Sequence, residues 1–482
     1  MVVSITDTEL YVSNLHRRMT FHFGNVHVAE GPQVLLDATI DVNGDSYRGV
    51  AMGALAPMWF YKDPDLTMES GVTAMLEVFS AACDESEALP PVESAFECWR
   101  SVYDAVESWA ADTDHPALLW SYGVSLVEQA VIDAYCRATE TSFPDAVHEE
   151  TLGINLGAIH DELDGESASD LLPDTPLSQT SIRHTVGLSD PLTDDDVGVD
   201  NRLDDGLPQT LSEYVVEQDI SHFKIKLAAK PSDIDRLRRI QEVVETHLDD
   251  YAFTLDANEQ YPTVTAFRDQ WEQMTADNDL TEFFEHLRYV EQPLPRDEAF
   301  SERTREAFDA WENRPPIIID ESDDSLDSLQ RALSSGYNGT SHKNCKGIFK
   351  GIANRCLLKY RHREDGGRYL MSGEDLTTLG PIELQEDLAV MATLGMESVE
   401  RNGHHYYRGL SMLPEDVQEQ ILDVHPDLFT RHPDGFPTLD VQEGKISLDS
   451  VLTAPFGHRI DLDTDDSFFI PVAEWSLESI YA

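Results

Sequence analysis

The chain is predicted to be an α/β protein, a barrel of alternating parallel strands and helices preceded by a smaller α+β domain. Three observations carry that prediction. Beyond about residue 183, short apolar segments alternate with amphipathic helical patterns. Polar landmarks at the strand ends, Lys226, Asp256, Glu291, Asp320, Lys343 and Glu374, follow one another by 30, 35, 29, 23 and 31 residues. An eight-unit barrel of ~250 residues allots roughly 31 to each unit. A doubly wound open sheet would alternate similarly, but here the carboxyl ends of the strands carry polar or ionisable groups, the place of barrel active sites.

Taken in order, residues 19–28 and 33–42 carry β-branched and aromatic side chains and read as strands. Asn43-Gly44-Asp45 is a hairpin turn leading into a third at 47–51. Leu119, Tyr122, Leu126, Ala130 and Ala134 repeat at helical spacing through 116–139, with Pro116 suited to a first turn. These elements form an N-terminal α+β domain, 1–145. A linker, 146–182, includes a polar stretch rich in Asp, Ser, Pro and Gly at 161–178. The barrel occupies 183–425, with strands at 183–188, 222–227, 251–255, 287–290, 316–319, 339–341, 368–371 and 397–399; residues 426–482 form a C-terminal segment. The acidic insertion 190–206 reads as a solvated loop.

Composition narrows the function. There are 91 acidic residues against 34 Lys and Arg, a formal charge of −57, yet 41% of residues are hydrophobic. A packed protein with an acid-coated surface is expected, a pattern that resembles proteins of halophilic organisms. Nucleic acid is excluded as a partner, since phosphate would meet like charge nearly everywhere. Five cysteines without a CxxC pair fit a reducing cytoplasm, and no signal peptide or membrane-length apolar run is seen. The expected protein is cytoplasmic, without a membrane partner. No glycine-rich phosphate loop, zinc spacing or nucleophile elbow is present.

Lysine is scarce and clustered. Of nine, three lie at Lys224, Lys226 and Lys230 and three at Lys343, Lys346 and Lys350. Unlike guanidinium, an ammonium can lose its proton at workable pH, so clustered lysines suggest acid–base chemistry. Lys224 and Lys226, two apart on a strand, face the same side; mutual repulsion is expected to lower the pKa of at least one. Asp256, Glu291 and Asp320 end the next three strands, and three convergent carboxylates suit a hard cation, Mg2+ with Mn2+ as substitute, rather than Zn2+. A one-residue register shift would exchange Asp320 for Glu321.

These residues resemble the enolase superfamily, and within it the muconate-lactonizing (KxK) subgroup, mandelate racemase/muconate lactonizing enzyme-like. The likeness runs through Phe21-His22-Phe23-Gly24, the Glu128…Asp133 helix, the Lys224/Lys226 pair, Asp256/Asn258, Glu291-Gln292-Pro293, Asp320-Glu321-Ser322 and the second lysine run. It implies a modified TIM barrel, (β/α)7β, under an N-terminal α+β capping domain, with the C-terminal segment packing back on the cap. It also implies one Mg2+ held by Asp256, Glu291 and Asp320, and proton abstraction alpha to a carboxylate to give a metal-stabilised enediolate. Lys226 would be the base, Lys224 a charge stabiliser, and a sixth-strand lysine, Lys343 with Lys346 as alternative, would face the other side of a small carboxylate-containing substrate. Two opposed lysines make a racemase or epimerase; a cycloisomerase, a dehydratase or an inactive binding protein on this scaffold is the alternative. A homo-oligomer is expected. The Asp-x-Asp that dipeptide epimerases place on the eighth strand is missing from Glu400-Arg401-Asn402. Arg401, His404, Asn258 and Glu374 are candidate pocket residues, with Trp59-Phe60-Tyr61 a candidate aromatic wall.

Overall fold

A computed structural model describes residues 1–23, 26–63 and 65–481; for 23, 26–29 and 481 only the backbone is described. Gly24 of the Phe21–Gly24 motif lies outside the described residues. Two bodies are built on separate sheets. The N-terminal one is antiparallel: β1 (Val3–Ser13), β4 (Gln33–Val42) and β5 (Asp45–Ala54) pair in that order, with Ile470–Pro471 added beside β1. The strand expected at 19–28 is instead divided between two antiparallel strands, β2 (His16–Phe23) and β3 (Val26–Glu30).

Helices α1 (Pro57–Phe60), α2 (Met68–Glu87), α3 (Ala95–Ala110) and α4 (Ala117–Thr139) follow. Pro116 sits at the N-cap of α4 rather than within its first turn. Residues 118–136 of α4 are buried all round. Its apolar stripe faces the cap, and Gly49 of β5 admits it closely: a Cβ there would lie 2.0 Å from the Ala130 carbonyl oxygen. Its polar side reaches the barrel, where Glu128 accepts the backbone N–H groups of Ile348 (2.9 Å) and Phe349 (2.7 Å). Those are orphan donors at the start of helix Ile348–Asp365, just past the second lysine run.

The second body is a closed parallel barrel of eight strands: β6 (Gln179–Val186), β7 (His222–Lys226), β8 (Ala252–Asp256), β9 (Leu287–Glu291), β10 (Ile317–Ile319), β11 (Gly339–His342), β12 (Leu370–Gly373) and β13 (Ser398–Glu400). β13 closes on β6 through Val399 opposite Ile182. Each of the seven connections carries a helix, so the predicted TIM-type barrel with its α+β cap is the observed fold. Every predicted barrel strand is found, six of the eight within one residue at both ends; β6 begins and ends earlier than predicted, and β12 begins and ends two residues later.

Cap and barrel meet over the carboxyl ends of the strands. Arg18 of β2 clamps Asp205 through two bonds of 2.7 and 2.9 Å. The insertion 190–206 is therefore partly tied down rather than wholly solvated, and Asp190 within it is buried and accepts the Tyr406 hydroxyl at 2.7 Å. From the C-terminal segment, Val472 N–H bonds Leu10 O (2.9 Å) and Trp475 Nε1 bonds Asn14 Oδ1 (2.9 Å), both on the cap. Among the described residues no helix is long and apolar enough to cross a membrane.

Candidate active site

A pocket opens between the barrel's carboxyl end and the cap. Barrel residues Lys224, Lys226, Asp256, Asn258, Asp320 and Lys343 line one part, and the cap supplies Arg17, Phe21 and α1. Position in the barrel follows from strand order. β7 and β11 are four strands apart in a ring of eight, so Lys226, ending β7, and Lys343, just past β11, stand on opposite walls. Between them on one side are β8, β9 and β10, which end in Asp256, Glu291 and, one residue on, Asp320. On the other side are β12, β13 and β6; β12 is followed by Glu374 and Asp375, and β13 ends in Glu400.

The two lysines of β7 have different surroundings. Lys224 Nζ lies 3.1 Å from Asp256, 3.0 Å from Glu291 and 3.1 Å from Glu400, and also pairs with Glu374. Lys226 Nζ pairs with Asp256 alone, at 2.5 Å. Burial by itself would lower the Lys224 pKa, but those four carboxylates together raise it well above the ordinary lysine value. The expectation that mutual repulsion lowers the pKa of at least one of the two is not met at Lys224, where carboxylates from across the barrel outweigh the neighbouring amine.

The second lysine run separates as cleanly. Lys343 Nζ sits 2.6 Å from Asp320 Oδ2 and 4.4 Å from the centre of the Trp59 ring, facing the pocket. Lys346 reaches the same carboxylate from behind, 2.7 Å from Oδ1, and does not line the pocket. Lys350 pairs with Asp323 at 2.8 Å on helix Ile348–Asp365. Against the effect of burial, Lys343 and Lys346 hold the Asp320 carboxyl well below the usual range, and Asp320 in turn raises Lys343. Asp320 lines the pocket, whereas Glu321 is fully buried under Asn258 (3.1 Å).

Whether a divalent cation fits can be judged from the donors. Asp256, Glu291 and Asp320 are buried carboxylates on consecutive strand ends, oxygen donors suited to Mg2+. Burial, with Asp256 and Glu374 alongside, pushes the Glu291 carboxyl well above its usual range, so the cluster is short of positive charge. The lysines now hold these groups apart: Asp256 and Glu291 share Lys224, while Asp320 turns to Lys343 and Lys346. Among the described residues no three His, Cys, Asp or Glu side chains are gathered closely enough to hold a metal ion. The donors fit in kind and place, in a lysine-paired arrangement.

The supporting turns are strained and tightly bonded. Asn258, Glu259, Gln292 and Thr377 adopt positive φ of 41°, 67°, 34° and 66°, a conformation uncommon for non-glycine residues. Gln292 is fully buried and satisfied: Oε1 accepts Asp320 N–H (2.7 Å) and Ser322 N–H (3.2 Å), while Nε2 donates to Leu294 O and Ser322 Oγ, each at 2.7 Å. It thereby fixes the turn that presents Asp320.

Other expected pocket residues fall differently. Asn258 lines the pocket, but Glu374 lies beneath it, held by Arg183 and Lys224. Arg401 and His404 do not reach it: Arg401 pairs with Asp387 (2.6 Å), and both line a small separate cavity with Leu379 and Phe429. Their neighbours Glu400, which ends β13, and Asn402, at the N-cap of the short helix Gly403–Tyr406, line the pocket instead. Asp375 also lines the pocket, and burial pushes its carboxyl up to about 6. Of the aromatic run, Trp59 walls the pocket, Phe60 stacks on Tyr122 in the cap core, and Tyr61 bonds His115.

No protein-family model matches the chain, and no curated protein matches it. Solved structures do. A dipeptide epimerase from Enterococcus faecalis V583, complexed with Mg and the dipeptide L-Leu-L-Tyr, aligns over 94% of this chain and 100% of its own at 12% identity, TM-score 0.59. A mandelate racemase/muconate lactonizing protein from Herpetosiphon aurantiacus aligns over 95% and 99% at 14% identity, TM-score 0.59. A 2-chloromuconate cycloisomerase from Rhodococcus opacus 1CP aligns over 92% and 94% at 14% identity, TM-score 0.56. The fold is that of the mandelate racemase/muconate lactonizing enzyme structures.

Proposed function

We propose that this chain is an enzyme of the enolase superfamily that removes the proton alpha to a carboxylate in a small substrate, as a racemase or epimerase. The observation that carries the reading is the placement of Lys226 and Lys343 on opposite walls of one pocket. Lys226, paired with a single carboxylate, takes the proton from one face of the enolised substrate. Lys343, held protonated by Asp320 and seated against Trp59, returns a proton to the other face. Lys224, among four carboxylates, acts as a fixed positive charge near the developing oxyanion. Asp256, Glu291 and Asp320 would hold Mg2+, as suits the Mg in the epimerase complex of like fold. The cation supplies Lewis-acid neutralisation of charge on the substrate carboxylate. Arg17, Phe21 and Trp59 close the roof and exclude water, while Glu400, Asn402 and Asp375 offer acceptors to the rest of the substrate.

Incubation in D2O with a panel of N-acylated amino acids, dipeptides and acid sugars tests the reading. Deuterium should enter the alpha position of at least one compound class, with stereoisomers interconverting, and exhaustive chelation should stop it until Mg2+ is restored. Exchange that continues undiminished after chelation would remove the metal from the proposal. Elimination or ring closure in place of isomer exchange would move the enzyme to the dehydratase or cycloisomerase reading.

A further inference from the structure

The opposite end of the barrel carries charge of a sign this protein otherwise avoids. A second cavity opens at the amino ends of the strands, away from the pocket beneath the cap. Arg288 of β9 and Arg368, just ahead of β12, stand on its rim with Lys359; Arg355, one turn before Lys359 on helix Ile348–Asp365, is half-buried beside them. His222, the first residue of β7, is also in the wall. Glu397 is the one carboxylate among the described residues that lines it.

Acidic residues outnumber Lys and Arg by 91 to 34, and many cations on this surface are paired with a carboxylate. Arg202, Arg239, Arg361 and Arg431, all partly exposed, pair at 2.8 Å or closer. In contrast, among the described residues none of Arg288, Arg355, Lys359 and Arg368 has a carboxylate within 4.0 Å. Two of the guanidiniums are aimed by single bonds, Arg368 to the Arg288 carbonyl (3.0 Å) and Arg355 to the Leu394 carbonyl (2.9 Å), which leave their other N–H groups free. The repulsion is felt: Arg355 lowers the pKa of the Lys359 ammonium. Four cations without a close carboxylate surround one concavity, with Glu397 drawing on Arg355 and Lys359 from a distance, and they cost least when an anion sits among them.

We propose that this cavity binds a small polyanion carrying two or more phosphate groups. Three of the four cations are arginines, whose planar forks match the O–P–O edge better than a point charge does. A cavity that runs in to the buried Arg183 and Phe253 suits a compact ligand rather than an extended acidic chain.

The test is calorimetric titration of the full chain with inorganic pyrophosphate, at the lowest KCl concentration that keeps it folded by circular dichroism, against single phosphate and citrate. Pyrophosphate should bind saturably, more tightly than single phosphate, and more weakly as KCl rises. Citrate equal to or better than pyrophosphate would overturn the choice of phosphate. The double variant Arg288→Gln/Arg368→Gln alters rim side chains, so it should fold normally while losing roughly tenfold or more in affinity. Absence of saturable heat, or binding undiminished in the double variant, overturns the proposal. So does sedimentation showing that the double variant dissociates an oligomer, because the cavity would then hold acidic side chains of a second copy.

Discussion

Lys343 and Lys346 offer an unusually well-controlled pair of substitutions. Both amines grip the same buried carboxylate, at 2.6 and 2.7 Å, from side chains 5% and 2% exposed. Replacing either by Ala leaves Asp320 with one lysine instead of two, and Lys346→Ala also removes the bonds its ammonium donates to Ser341 Oγ (2.7 Å) and O (3.3 Å), so its structural penalty should be at least as large. Each ion-pair loss is bounded by the roughly 3–5 kcal/mol that breaking a buried ion pair costs. Catalytic consequences should differ, since Lys343 alone reaches the pocket and a positioned acid–base group contributes roughly 10²–10⁴-fold. Thermal denaturation should therefore show a loss for Lys346→Ala at least as large as that for Lys343→Ala. Deuterium exchange on an identified substrate should collapse by roughly 10²-fold or more in the first, and stay within roughly tenfold of the parent in the second. If folded Lys346→Ala is dead while Lys343→Ala turns over, the opposing group comes from the turn after β11. If both remain active, the two-lysine mechanism fails.

Three further outcomes follow from the same electrostatics. Glu128, whose carboxyl burial pushes up to about 8, is largely neutral near pH 7. Glu128→Gln keeps one acceptor oxygen but sets its NH2 against the other backbone N–H, so it should lose less stability than Glu128→Ala, which strands two buried N–H donors at about 1–3 kcal/mol each; equal melting temperatures for the two variants would contradict this. Asp375, raised to about 6, and Glu386, raised well above its usual value, bind protons more readily in the fold than in the unfolded chain. Their stabilising contribution is complete below about pH 4 and is lost as pH rises through the folded pKa, about 3 kcal/mol for Asp375 alone. Asp320 and Glu400, held low, act oppositely and lose theirs only below about pH 4. Buried histidines held below their ordinary value, among them His184, His405 and His458, lose stability over the interval from about pH 7 to about pH 5. The check is therefore a comparison with Asp375→Asn in concentrated KCl: as pH falls through that interval the parent's melting temperature should rise relative to the variant's, and a constant difference would refute the assignment. Finally, at −57 the surface repels itself, so melting temperature should fall between molar and millimolar KCl; no change would count against a salt-adapted surface.

The barrel was legible because its signals are local. A short, mostly apolar segment ending in Asp or Glu announces both a strand and its functional end, as in β8 and β9. Local signals also set the limits. β13 has three residues, too few for alternation to show which side chains face inward, so Arg401 and His404 drew attention that belonged to Glu400 and Asn402. Arg17 enters the pocket from the cap, and nothing in the residues around it marks that contact; it depends on how two bodies dock. Likewise the break between β2 and β3 lies inside one continuous stretch of strand-forming residues.

Lys224 shows why charge is harder to read than fold. On the strand its only charged neighbour is Lys226, which argues for a weakened ammonium. In the barrel its partners are Glu291, Glu374 and Glu400, respectively 67, 150 and 176 residues away, and together with Asp256 they reverse the sign of the effect. The two lysines of β7 are thereby divided by their surroundings rather than their spacing. An amine shared among four buried carboxylates is fixed in place and keeps its proton, which suits a standing positive charge. An amine with one carboxylate partner at the pocket wall needs to break only that contact to meet a substrate. If a proton is taken from the β7 side, Lys226 is the residue placed to take it.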